Sequence, residues 1–224
     1  MVPPRTAPVV WINGFPGSGK LTVATAVAAL DKTVIVLDNH KLIDPVEARF
    51  ARIHPSYQHE RSLFRQAILD RYVYDVATLS RLVIFTDFQS NNALGRVVAS
   101  EYKDAAFKAG RPFVPVYLTC DEATNLERVA SPDRLGSGTN KLTDPQVLGD
   151  LRSRCELYQF DGGCLGLTVD STSLIPSEVA AKIVEFAWNS ASSLADGADG
   201  PGWERARSGL DIPIVADCSL LNEK

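Results

Sequence analysis

Gly14-Phe15-Pro16-Gly17-Ser18-Gly19-Lys20, followed by Leu21-Thr22, decides how the rest of the chain is read. The stretch has the G-x-x-x-x-G-K spacing of a phosphate-binding loop. A loop wrapped around a polyphosphate turns its backbone N–H groups inward, and glycine permits the φ values and the close approach this needs. Lys20 then brings a point charge to the β- and γ-phosphates. The helix leaving the loop aims the positive end of its dipole at the same anion. Val9 to Ile12 is a short apolar run that reads as a buried strand entering the loop, and alanine-rich Thr22 to Leu30 reads as the helix leaving it. Strand, loop and helix in that order are the context the motif requires. Gly14, Pro16, Gly17, Ser18, Gly19, Lys20, Leu21 and Thr22 are therefore the candidate nucleotide-binding residues.

Further along, strands and helices alternate. Thr33–Leu37, Arg81–Thr86, Phe113–Thr119 and Leu165–Val169 are apolar runs that read as four more buried strands. Helices are expected over Lys41–Phe50, with Pro45 near the start, and from Ser56 to about Ser80. In the second of these Phe64, Ile68, Tyr72, Val76 and Leu79 recur at helical spacing. Further helices are expected over Asn92–Ala109, from Asp121 through Val129, from a Thr143-Asp144-Pro145 start to about Tyr158, and over Pro176–Trp188. Strands apolar throughout, each followed by a helix, give a parallel sheet covered on both faces. Ligands bind such sheets at the carboxyl ends of the strands, where the glycine-rich loop, Asp38 and Asp87 all fall.

Residues 131–142 (SPDRLGSGTNKL) break every periodicity. From Ala195 the composition becomes that of a linker, followed by the short apolar run Ile212–Ala216, an edge strand or a docking arm. The chain thus divides into a domain over 1–192 and a tail over 193–224 with no assigned role.

The formal net charge of −4 and the lack of a lysine/arginine block argue against a nucleic-acid binder. No apolar stretch reaches the ~18 residues of a membrane span, and the first residues, MVPPRTAP, lack the apolar core of a signal peptide. Cys120, Cys155, Cys164 and Cys218 form no C-x-x-C pair and are read as free thiols of a reducing, cytoplasmic compartment. Neither they nor the histidines have zinc-site spacing. A homodimer stays open.

The loop departs in one place from its commonest form. Leu21 stands where a Ser or Thr hydroxyl usually ligates magnesium, and the hydroxyl comes one residue later at Thr22. In this it resembles adenylate-kinase-type enzymes, which read Gly-Lys-Gly-Thr and hold the metal mainly through nucleotide phosphates and water. With Leu37-Asp38-Asn39-His40, Phe85-Thr86-Asp87, the arginine-bearing segment 131–142 and Asp170-Ser171-Thr172, the chain over roughly 8–190 resembles the P-loop kinases of small molecules. These include nucleoside monophosphate, shikimate and gluconate kinases and chloramphenicol phosphotransferase. The resemblance implies an α/β fold, a P-loop three-layer sandwich with a five-stranded parallel sheet and a short lid over 131–142. It also implies transfer of the γ-phosphoryl group of ATP, with Mg2+, to a small-molecule acceptor bound by a segment over about 39–80.

The resemblance also assigns roles. Asp38 would contact the acceptor hydroxyl and take its proton, the other readings being a helix cap or a ligand of metal-bound water. Asp87 would orient magnesium through water, with Thr22 the other candidate metal contact. Arg128 and Arg134 would clamp the transferring phosphoryl group, Lys141 less so. Ser171 and Thr172 would meet the adenine, mostly through backbone. His40, Arg61, Arg65 and Asn92 are candidate acceptor contacts. His54, His59, Arg49 and Arg52 share the acceptor segment, and Gln89 and Asn91 flank it in the next loop. Arg61 and Arg65, four apart on one helix face, read either as the site for an anionic acceptor or as a solvated face. Two alternatives stay beside phosphorylation of a hydroxyl: a nucleoside monophosphate kinase, and a nucleotide-binding regulator or weak ATPase without a small acceptor.

Overall fold

The computed structural model describes residues 6–136, 140–161 and 164–196, the last four as backbone only. Five strands, β1 (Val9–Asn13), β2 (Ile35–Leu37), β3 (Val83–Asp87), β4 (Phe113–Thr119) and β5 (Leu167–Asp170), form one sheet in the order β2-β3-β1-β4-β5. Every pairing is parallel. Eight helices are described: α1 (Lys20–Leu30), α2 (Asn39–Glu47), α3 (Tyr57–Leu69), α4 (Ala93–Lys108), α5 (Glu122–Val129), α6 (Pro132–Leu135), α7 (Pro145–Arg154) and α8 (Pro176–Asp196).

The alternation of side chains along each strand splits the core in two. Val10 and Ile12 of β1 face one layer with Val23 and Val27 of α1 and Val179 and Ile183 of α8. Val9 and Trp11 face the other, with Leu69 of α3 and Val98, Tyr102 and Ala106 of α4. Both faces are dry, which is why the strands read as unbroken apolar runs. The helices leaving the neighbouring strands β1 and β3 therefore go to opposite faces, and a crevice opens at the carboxyl ends of that pair. A third, smaller cluster, Val129, Leu148 and Leu151 with Phe15 and Phe88 against it, packs α5 and α7 beside the glycine-rich loop.

Several boundaries differ from those read in the sequence, each for a local reason. β2 begins at Ile35 because the Asp31 carboxylate accepts both the N–H and the hydroxyl of Thr33, which turns the chain there. The helix expected to reach Ser80 stops earlier. α3 gives way to a single π turn, Asp70–Tyr74, and Asp75 then accepts the Ala77 N–H to start a separate short 3-10 turn. α2 begins two residues before Lys41, so Pro45 lies inside it rather than near its start. A proline there leaves an upstream carbonyl without its helical partner, and α2 ends two residues later. α7 ends at Arg154, not Tyr158, because the next residues bond to another loop: Glu156 O accepts from Asn91 N–H and Tyr158 N–H donates to Gln89 O. Four residues of segment 131–142 are helical, as α6, and 137–139 lie outside the described residues. α8 runs eight residues past Trp188, and the tail beyond Asp196 lies outside the described residues.

At the other edge of the sheet Arg111, 2% exposed, has no carboxylate partner among the described residues. Its guanidinium donates instead to the carbonyls of Ala7, Pro8, Tyr72, Val73 and Arg81. These carbonyls precede β1 and β3 or lie within the π turn, so one side chain ties that turn to the amino-terminal edge of the sheet. Burial pushes its pKa down to about 10.

Candidate active site

The glycine-rich loop has the geometry its sequence requires. Gly17 and Gly19 take φ values of 84° and 90°, which side-chain-bearing residues rarely adopt. At Gly14 the reason is space: a Cβ would lie 2.5 Å from the Leu118 carbonyl oxygen. The loop is braced from outside. Asn125 of α5 donates to Pro16 O at 2.7 Å and accepts from Arg152 of α7 at 2.8 Å. Neither residue carries a motif, and only tertiary packing brings them to the loop.

Lys20 Nζ folds back onto the loop, donating to Gly14 O at 2.6 Å and Phe15 O at 2.8 Å. Loss of solvent, and then the charge of Arg134, push its pKa down to about 7, against the opposing pull of Asp87 and Asp38. Lys20 makes no ion pair among the described residues, and a lysine so placed is poised to take an anion.

One cavity of about 780 Å³ lies against the loop. Its floor is the run from Pro16 to Thr22. Arg128, Ser171, Leu174 and Val179 line one part of the wall, and Asp38, Asn39, His40, Ile43, Arg52, Thr86, Arg134, Asn140 and Lys141 line another. The structure thus brings Lys20, Asp38, His40, Arg128, Arg134 and Ser171 to one cavity.

Asp38 occupies the N-cap position of α2, with extended φ and ψ of −70° and 139°, yet its side chain makes no capping bond. Its Oδ1 accepts instead from the Thr86 hydroxyl at 3.0 Å, and Oδ2 has no partner among the described residues. The capping role left open by the sequence is therefore not the one the carboxylate plays. His40 lies beside it, its Nδ1 3.2 Å from Asp44 Oδ1. Arg134 is anchored through Nε to Leu142 O at 2.7 Å.

Other expected contacts are placed differently. Arg65 is 3% exposed and paired with Glu101 of α4, and Arg61 donates to Tyr57 OH at 3.3 Å. Neither lines the cavity, and Arg65 is not on a solvated face either. The acceptor-segment arginine that does line it is Arg52, held by Glu47 through Nε. Asn92 is the N-cap of α4: its Oδ1 accepts from Gly95 N–H at 2.7 Å and its Nδ2 donates to Ser90 Oγ. Arg128 ties α5 to the loop after β5, donating to Ser171 O at 2.9 Å and Thr172 O at 3.3 Å, so those bonds occupy the groups expected to clamp phosphate. The Thr172 hydroxyl donates to Asp170 and that of Ser171 points to Ser18 O and Thr119 O.

Asp87 is fully buried behind the cavity wall, and Gln89 Nε2 donates to both of its oxygens at 3.0 Å. Thr22 is exposed on the cavity floor. No group of three or more His, Cys, Asp or Glu among the described residues could cage a metal. One hydroxyl and one engaged carboxylate fit a magnesium ion that arrives on nucleotide phosphates, not one held by protein alone. Cys120 and Cys164 are free thiols, Cys218 lies outside the described residues, and no described helix is long and apolar enough to cross a membrane.

No family model and no curated protein sequence matches the chain. Solved structures do. A gluconokinase from Sinorhizobium meliloti 1021 superposes with a TM-score of 0.58 at 17% identity, covering 87% of this chain and 99% of its own. A sugar kinase from Janibacter sp. HTCC2649 gives 0.52 at 16%, covering 80% and 93%. The APS kinase of Mycobacterium tuberculosis, in complex with AMPPNP and APS, gives 0.50 at 18%, covering 81% and 98%. The fold is that of the P-loop small-molecule kinases. In this fold the glycine-rich loop follows β1 and Asp38 follows β2, the strand beyond β3, and both line the same cavity.

Proposed function

We propose that the chain is an ATP- and magnesium-dependent phosphotransferase that moves the γ-phosphoryl group to a hydroxyl of a small molecule. The observation that carries this reading is Asp38: a carboxylate on the wall of the cavity floored by the phosphate loop, with one oxygen unengaged among the described residues. Phosphoryl transfer passes through a loose transition state, so the chain's task is mostly positioning and charge stabilisation. The loop N–H groups and Lys20 would hold the β- and γ-phosphates, and Arg134 would meet the charge on the transferring group. Asp38 Oδ2 would orient the acceptor hydroxyl and take its proton as the oxygen attacks phosphorus. Magnesium, when bound with the nucleotide, would neutralise phosphate charge, with Thr22 on the cavity floor a hydroxyl that could meet it. Asp87, buried and engaged by Gln89, would act only by its charge from behind the wall. The cavity, within the ~300–1,000 Å³ typical of ligand sites, would admit the acceptor beside His40, Arg52 and Asn140.

A screen with ATP and magnesium across sugars, other alcohols, nucleosides and nucleoside monophosphates, read by detecting the phosphorylated product, tests the proposal. A phosphate ester formed on an alcohol is the expected result. A nucleoside diphosphate as sole product, or ATP hydrolysis that no acceptor changes, would overturn it.

A further inference from the structure

Thr86 is the penultimate residue of β3, paired in register with Ile12 of β1 and 2% exposed. Its hydroxyl makes two bonds of different kinds. It donates to Asp38 Oδ1 at 3.0 Å and accepts from the Asn39 N–H at 3.3 Å. A hydroxyl has one proton, and an amide N–H can only donate. The Asn39 amide must therefore take a lone pair of the Thr86 oxygen, which leaves the proton for the carboxylate. The direction of the bond to Asp38 is fixed by the neighbouring backbone.

The same contact explains why Asp38 does not cap its helix. An aspartate at an N-cap normally accepts from the N–H of the second or third helical residue, here His40 or Lys41. Asp38 instead turns Oδ1 to the Thr86 hydroxyl, and the Lys41 N–H goes to the Asp38 backbone carbonyl. Thr86 thus takes one free N–H of the helix start and holds Oδ1, and Oδ2 is the oxygen left without a partner among the described residues.

We infer that Thr86 is a positioning residue: its hydroxyl fixes the rotamer of Asp38 so that Oδ2 faces an incoming acceptor hydroxyl. This rests on the reading of Asp38 as the acceptor's base. Thr86 touches no reacting atom in this scheme and acts through Asp38 alone. Packing alone would not need the hydroxyl, since valine has nearly the same shape.

The test is a double-mutant cycle of Thr86→Val and Asp38→Asn, with Thr86→Ser as control, on the full chain. Turnover is read as ADP formed from ATP and magnesium with the alcohol that the screen selects. Thr86→Val should lower kcat roughly 10- to 100-fold, the scale of a misplaced catalytic group, and leave KM for ATP within about two-fold. Thr86→Ser should restore most of the loss, which a role in packing the methyl group would not do. In the Asp38→Asn background Thr86→Val should cost nothing further.

The outcomes separate the inference from its premise. Wild-type kcat in Asp38→Asn removes the base and the premise with it. A large loss in Asp38→Asn with wild-type turnover in Thr86→Val overturns the positioning role alone, as does an equal loss from Thr86→Val in both backgrounds. A crystal structure of Thr86→Val gives an answer independent of turnover. Asp38 should leave its present rotamer or turn back to cap α2, and a carboxylate found in its present place would overturn the inference.

Discussion

Lys20 is the residue whose charge a nucleotide should change most. Its pKa sits near 7 without ligand because burial, and then Arg134, oppose the charged form. A polyphosphate at the loop reverses that balance and draws a proton on. Calorimetry of ATP binding at pH 8 in buffers of different ionisation enthalpy should show uptake approaching one proton, fading below about pH 6. Uptake that does not vary with pH would place the phosphates away from Lys20. The sign for stability follows from linkage. A pKa lower in the folded than in the unfolded chain means fewer protons bound when folded. This group therefore adds stability as pH rises from about 7 toward 10.5, and that contribution is lost as pH falls back through 7. Lys20→Ala should abolish phosphoryl transfer, since the β- and γ-phosphates lose their fixed charge; activity within a few-fold of wild type would move the phosphate site elsewhere. Lys20 and the glycines were legible because a motif states their chemistry. Thr86 and Arg52 were not, because what matters in each is which partner the fold supplies.

Among the elements, α4 shows why single side chains misled. Asn92, expected at the acceptor, starts this helix. Asn92→Ala should cost about 1 kcal/mol, the usual worth of such a cap, measured by denaturant unfolding, with no effect on acceptor KM. Midway along α4, Glu101 takes Arg65, Ser62 and Gln66 of α3. A pair so enclosed is costly to halve, because the remaining charge stays buried. Glu101→Gln should destabilise by about 3 kcal/mol, whereas replacing Glu101 and Arg65 together by leucine and methionine should recover most of it. Equal loss in the single and double variants would count against the pair. The apolar periodicity of α3 was legible over its full length, but its end was not. The π turn keeps a similar face toward the core, so the pattern of Ile68 and Tyr72 carries on past the point where the hydrogen bonding changes.

Across the whole molecule, unbroken apolar strands alternating with helices were enough to give the sheet, its covered faces and the edge where the site lies. The bonds that lock the opposite edge were hidden, since one arginine in a loop announces no partner. Arg111→Met should leave up to five carbonyls under-satisfied and lower stability by on the order of 3–5 kcal/mol, with ATP affinity little changed because the site lies at the far end of the strands. Wild-type stability would mean water replaces the guanidinium. At the carboxyl edge the ends of β1, β2 and β3, with Ser131, Asp133, Arg134, Asn140, Lys141 and Leu142, supply one cavity, within which Asp38 is proposed as the base. The direct measurement is kcat of Asp38→Asn against wild type, with ATP affinity determined in parallel. The variant keeps the shape and removes the basic oxygen. A fall in kcat on the order of 10²–10⁴ is expected, nearer the lower end for a loose transition state, with ATP affinity unchanged. Unchanged kcat would contradict a base at Asp38, and lost ATP binding would place the carboxylate at the metal instead.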